Sequence, residues 1–146
     1  GISRLPLILV CENNSWEMAT PWQKVRQTQS LIPYAEPFGF ATRSVDGNDA
    51  LEVYNAARWA RATALNGQPV FLDCMTFRAG LYSSHFGEVR GDVEKDLAAW
   101  EKRDPLTKMT EWLIGHGFAS AEDLERLSQQ EEQRIEDTFN RLRSEG

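Results

Sequence analysis

The sequence predicts an α/β fold, a parallel-sheet layer followed by a C-terminal helical segment. Leu5 to Val10 and Gln68 to Phe77 (QPVFLDCMTF) are apolar runs with little polar alternation, the pattern of interior parallel strands covered on both faces. Between them lie a short strand pattern at Ala41 to Val45 and a helix pattern at Ala50 to Asn66. Strand, helix, strand, helix, strand is the order of a parallel layer. From Val93 onward, helical patterns with start and stop signals take over.

The first run ends abruptly in Glu12-Asn13-Asn14. Ligands of parallel sheets sit beyond the carboxyl ends of the strands, so the Asn pair falls at a binding edge. There an amide oxygen can coordinate a hard cation, or a side-chain NH2 can hold a phosphate. Asn also tolerates left-handed geometry and bonds its own backbone, so a plain turn is the competing reading. Thr20-Pro21 has the form of a helix start, Thr as cap and Pro at the first position, opening a short helix or irregular segment to about Gln29. Pro33 and Pro37 interrupt the next segment, Leu31 to Phe40.

Ala41 to Val45 reads as a strand and Asp46-Gly47-Asn48-Asp49 as the turn to a helix that Asn48 or Asp49 can cap. In that helix Val53, Ala57, Ala60 and Ala64 form a small-residue face suited to close packing on a sheet, and Gly67 ends it. Arg78 to Gly91 has no period and reads as a long surface loop, of the kind that is usually functional or disordered. Asp92 can cap a helix through Trp100. Asp104-Pro105 starts another through Ile114, stopped by Gly115 and Gly117, with His116 a residue of that helix end. Ser120 to Asp123 resembles a capping box. The last helix places Leu124, Leu127, Ile135, Phe139 and Leu142 on one side and a solvated charged face elsewhere. Exposed apolar residues there are candidates for a subunit interface.

A chain of 146 residues suffices for one domain, or forms part of a larger one. The division expected is an α/β part, 1–91, containing the loop 78–91, and a helical extension, 92–146. The net charge is -6 and the 16 basic residues are scattered, which excludes a nucleic-acid partner. No apolar run approaches the roughly 20 residues of a membrane span, and the signature of a secretory signal is absent. The expected location is cytoplasmic, or an organelle matrix in a eukaryote. Cys11 and Cys74 sit in apolar runs and read as buried reduced thiols.

The segment LPLILVCENNSWEMATP resembles the end of the thiamine diphosphate signature in alpha subunits of 2-oxo acid dehydrogenases, the decarboxylating first component. The family motif opens with Gly-Asp-Gly and closes on such an Asn pair, commonly followed by Gly-Tyr-Ala-Met. Here the closing half is Asn-Asn-Ser-Trp-Glu-Met. The resemblance continues through Ser44-Val45-Asp46-Gly47-Asn48-Asp49, Gln68 to Leu72, Thr76-Phe77-Arg78 and Arg103-Asp104-Pro105-Leu106, covering nearly the whole chain in register.

The resemblance implies a transketolase-like, thiamine diphosphate-binding layer, present in part. It further implies thiamine diphosphate and magnesium as cofactors, with oxidative decarboxylation of a 2-oxo acid and acyl transfer to a lipoyl carrier. Asn14 would give the ion its side-chain oxygen and Trp16 its backbone carbonyl, while Asn13 secures the turn. Arg78 opens the family's cofactor-side loop, patterned Arg-x-x-Gly-His-Ser. This sequence departs from that pattern, and Leu81 or Tyr82 stands where the His belongs. The nearby imidazole is His85, which either takes over the catalytic loop role or marks a site that does not perform the family reaction.

No Gly-Asp-Gly precedes the first strand. The expectation is a fragment of a longer subunit, that half lying upstream or on another chain, or a gene that has lost it. Implied partners are a beta-type subunit, which carries the activating carboxylate, a chain or segment with the Gly-Asp-Gly half, and a lipoyl acyltransferase. The implied assembly is two alpha and two beta subunits. The alternative is a non-catalytic fragment or interaction module that retains the fold.

Overall fold

The computed structural model describes residues 3–18, 20–78 and 103–145. They fall into two compact units divided after Pro105. In the first, strands β1 (Ile8–Asn13), β4 (Ala41–Asp46) and β5 (Val70–Met75) form a parallel sheet in the order β1-β5-β4. Registers Ile8 to Val70 and Ala41 to Val70 align all three carboxyl ends, at Asn13, Asp46 and Met75. A two-residue hairpin, β2 (Trp16–Glu17) with β3 (Thr20–Pro21), stands beyond that edge.

One face of the sheet packs on helix α2 (Ala50–Leu65). Val45, Val70, Leu72 and Cys74 meet Ala56, Ala60 and Ala64 in the core, with Val53, Trp59 and Ala41 packed around them. Spacings of four put the three alanines on one stripe, and methyl side chains let the helix lie close. The stripe runs through Ala56, because the expected Ala57 is exposed. Asp49 is the cap: its Oδ1 accepts from the amides of Leu51 at 3.1 Å and Glu52 at 3.0 Å. Gly67, at φ 81°, ends the helix in left-handed geometry that a side chain would strain. Arg43 of β4 covers the Trp59 ring at 4.1 Å.

The other face is met by the short helix α1 (Ile32–Ala35), from which a single 3-10 turn, Glu36–Phe38, leads to Gly39. Pro33 and Pro37 sit in the first turns of these two pieces, so the prolines shorten the helix as anticipated.

Two expectations are corrected. The Thr20-Pro21 start does not open a helix, because these residues pair with Glu17 and Trp16 across the hairpin. Only the 3-10 turn Trp22–Lys24 follows, without a side-chain cap. Nor is β1 covered on both faces: among the described residues it is an edge strand, with Leu7, Ile8, Leu9 and Val10 all exposed.

In the second unit, α3 (Pro105–Gly115) ends in paired bonds, Phe118 N to Leu113 O at 2.9 Å and Gly117 N to Ile114 O at 3.0 Å. This is the left-handed helix ending that glycine favours. The His116 ring stacks on Trp112, and its Nδ1 lies 2.8 Å from the Trp112 carbonyl oxygen. Helix α4 (Ala121–Glu145) buries no residue, and Leu127, Ile135, Phe139 and Leu142 are exposed. Among the described residues no helix is long and apolar enough to cross a membrane. The helix expected from Asp92 to Trp100 and the loop after Arg78 lie outside the described residues.

Candidate functional site at the carboxyl edge of the sheet

Strand alternation assigns the two asparagines different work. Asn13, the last residue of β1, is buried at 4% exposure. Its side chain lies on the α1 face of the sheet and reaches Asp73, two residues before Met75, its register partner on β5. Asn13 Nδ2 donates to the Gln29 carbonyl at 2.8 Å and to Asp73 Oδ1 at 3.0 Å, which uses both its hydrogens. Asn13 Oδ1 accepts from Arg26 Nη2 at 2.9 Å.

Asp73 has no solvent exposure, the Asn13 bond aside it accepts at Oδ2 from Ser30 Oγ at 2.9 Å and the Leu31 amide at 2.8 Å. A buried carboxylate persists only with such partners. Together these bonds tie β1, β5 and the segment from Arg26 to Leu31 into one block.

Asn14 lies one residue beyond the strand, and its Oδ1 accepts from the Trp16 amide at 3.0 Å. This is the local turn that Asn forms with its own backbone. Ser15 follows at φ 66°, and Met18, at the hairpin tip, has φ 52°. Two non-glycine residues in left-handed geometry mark a backbone held by its surroundings. Trp22 N donates to the Ser15 carbonyl at 3.0 Å and Gln29 Nε2 to Ser15 Oγ at 3.0 Å. Arg78, beyond β5, donates from Nη1 to the Met18 carbonyl, and its guanidinium lies 5.0 Å over the Trp16 ring.

Asn14, Trp16 and Arg78 are thus brought to one edge. His85, the remaining candidate, lies outside the described residues. The turn after β4 reaches the same edge. Gly47 N donates to the Met75 carbonyl at 2.8 Å, and a Cβ on Gly47 would come within 2.5 Å of Thr76 Cγ2, so only glycine fits that approach.

Two cavities flank Asn14 and Trp16. One, of about 360 Å³, includes Glu12, Glu17, Arg26 and Tyr34 in its wall. The other, of about 320 Å³, is lined by Asn14, Ser15, Gln23, Gln29, Thr76 and aromatic rings, without a carboxylate. The second suits an anion better, since amide and hydroxyl groups donate where carboxylates repel.

Among the described residues no group of three His, Cys, Asp or Glu side chains could hold a metal ion. That donor chemistry does not fit zinc. It does fit magnesium shared with a phosphate, which needs few protein oxygens, and the Asn14 oxygen retains a second lone pair beyond its Trp16 bond.

Burial raises the Cys11 thiol above its ordinary value, helped by the Asp73 charge and opposed by Arg26. Cys74 is raised by burial first and Asp73 second. Both are free cysteines, Cys74 buried and Cys11 half-buried.

Sequence reasoning singled out neither Arg26, Ser30 nor Asp73. Asp73 had a signal, a lone acid within an apolar strand; Arg26 and Ser30, in an irregular segment, had none.

The Dehydrogenase E1 component family model matches residues 1–146. The chain is 30% identical over 129 residues to the 2-oxoisovalerate dehydrogenase subunit alpha 1, mitochondrial, of Arabidopsis thaliana, covering 87% of this chain and 27% of that protein. It is 28% identical over 145 residues to the pyruvate dehydrogenase E1 component subunit alpha of Acholeplasma laidlawii, covering 98% and 42%. To the Homo sapiens 2-oxoisovalerate dehydrogenase subunit alpha, mitochondrial, it is 26% identical over 136 residues, covering 92% and 31%. The chain therefore spans between 27% and 42% of the length of these curated relatives.

Proposed function

The chain belongs to the dehydrogenase E1 component family, and from that premise we propose that it supplies one wall of a thiamine diphosphate and magnesium site in an alpha subunit of a 2-oxo acid dehydrogenase. The observation that carries this reading is the convergence of Asn14, Trp16 and Arg78 at the carboxyl edge of β1 and β5. When bound, thiamine diphosphate supplies the electron sink for decarboxylating a 2-oxo acid and carrying its acyl group toward a lipoyl acyltransferase.

The residues of this chain bind and orient. Asn14 offers its side-chain oxygen to the magnesium ion and Trp16 its main-chain carbonyl, so a Trp in place of a Tyr changes no ligand atom. The carboxylate-free recess beside them receives the anionic end of the cofactor. Arg78, steadied by the Met18 carbonyl and the Trp16 ring, brings a positive charge to the same edge. His85 is the imidazole assigned to the cofactor side. A beta-type subunit and a segment with the Gly-Asp-Gly half complete the site. The departure of the loop from the Arg-x-x-Gly-His-Ser pattern favours a second reading, a non-catalytic module of the same fold.

Asn14→Ala separates the two. In the assembly purified with its partner subunits, the enzyme reading expects magnesium-dependent thiamine diphosphate binding, measured by calorimetry, to fall at least about tenfold. Unchanged binding would exclude Asn14 as a ligand and leave the module reading.

A further inference from the structure

We propose that Arg26 and Asp73 are positioning residues for the metal-binding oxygen of Asn14, acting through the Asn13 side chain. The proposal rests on the reading of Asn14 as a magnesium ligand and extends it to residues that contact no cofactor.

Asn13 and Asn14 are consecutive, so whatever fixes the Asn13 side chain fixes the origin of the Asn14 turn. The Asn13 amide is clamped at both ends. Arg26 Nη2 holds its oxygen at 2.9 Å, while Asp73 Oδ1 and the Gln29 carbonyl hold its nitrogen at 3.0 and 2.8 Å. Asp73 is in turn immobilised on the central strand by Ser30 Oγ and the Leu31 amide. Donor and acceptor roles alternate along the line from Arg26 through Asn13 to Asp73, so the amide cannot flip without setting two donors, or two acceptors, face to face.

A cation and a carboxylate at the two ends polarise the amide between them and strengthen both bonds in a buried place. Among the described residues the Arg26 Nε has no hydrogen-bond partner, so the Nη2 bond to Asn13 is the polar contact that holds this guanidinium there. The clamp also explains how the strained Ser15 backbone, φ 66°, is held directly after the Asn pair. Such outer partners of a metal ligand typically contribute about ten- to hundredfold in metal affinity.

The test uses Mn2+ as a paramagnetic stand-in for magnesium in the purified thiamine diphosphate-loaded assembly, with free Mn2+ read by electron paramagnetic resonance and Tm recorded for each variant. Arg26→Met is expected to weaken Mn2+ binding about tenfold or more, and Arg26→Lys, which restores charge and a donor, to recover part of that loss. Arg26→Gln carries the same expectation as Arg26→Met should the latter fail to assemble. A lowered Tm with unchanged Mn2+ affinity in the assembled Arg26 variants would overturn the proposal, since Arg26 would then be structural only. Asn14→Ala is measured beside them. If it leaves Mn2+ binding intact, the ligand reading fails; if it weakens binding while the Arg26 variants do not, the positioning proposal alone fails.

Discussion

Ser15 shows how much a single position is asked to tolerate at this edge. Its left-handed φ of 66° costs a non-glycine residue roughly 1–2 kcal/mol, against which its hydroxyl accepts a bond from Gln29 at 3.0 Å. Ser15→Gly removes the strain and the bond together, so the expected change in stability stays within about 1 kcal/mol. Ser15→Val loses the bond and adds a β-branched side chain where φ is positive, for a loss of about 2 kcal/mol or more. Chemical denaturation of both variants decides this, and equal stability would refute the account. At this scale the sequence pointed to the Asn pair, and the resemblance gave the turn to Asn13, whereas Asn14 Oδ1 accepts from the Trp16 amide and the Asn13 side chain binds Gln29, Asp73 and Arg26. The period of two along β1 turns Asn13 onto the sheet face, and the end of the strand frees Asn14 for the turn.

Capping chemistry was the most legible feature among the elements, because it depends on a few consecutive residues. Asp49 caps α2, and Ser120 with Asp123 forms the expected box at the start of α4. Side-chain and backbone bonds from Ser120 hold the Asp123 carboxyl below its ordinary range. A folded value below the unfolded one stabilises the helix above the ordinary Asp range, near pH 4, and that stabilisation is lost as pH falls through the folded value. Ser120→Ala should move the Asp123 titration upward, followed by carboxyl NMR, with earlier fraying of α4 on acidification. An Asp123 titration identical to that of the parent chain would rule this out. Elements whose identity depends on distant partners were less legible. Thr20-Pro21 carries every local mark of a helix start, yet pairing with Trp16 and Glu17 makes it a strand. A hairpin partner outweighs a local preference of this size.

Across the whole molecule the exposed side of β1 is the outstanding feature. Leu7, Ile8, Leu9 and Val10 are between 37% and 61% exposed on an edge strand of the described sheet. Such an edge recruits other strands, so the 146-residue chain alone should self-associate with rising concentration. Val10→Lys should suppress that, as read by sedimentation velocity; equal association would show that the contact lies elsewhere. The sequence by itself determined the class of fold, the parallel sense of β1, β4 and β5 with α2 between the last two, the caps at Asp49 and Ser120, and the edge that carries the Asn pair. Each of these follows from short-range periodicity and turn chemistry. Only the tertiary structure decided that β5 lies between β1 and β4, that Asp73 is buried beneath Ser30 and Leu31, and that Arg26 reaches back to Asn13. Those facts join residues far apart in the chain, and no local pattern records a contact whose existence depends on how separate elements pack.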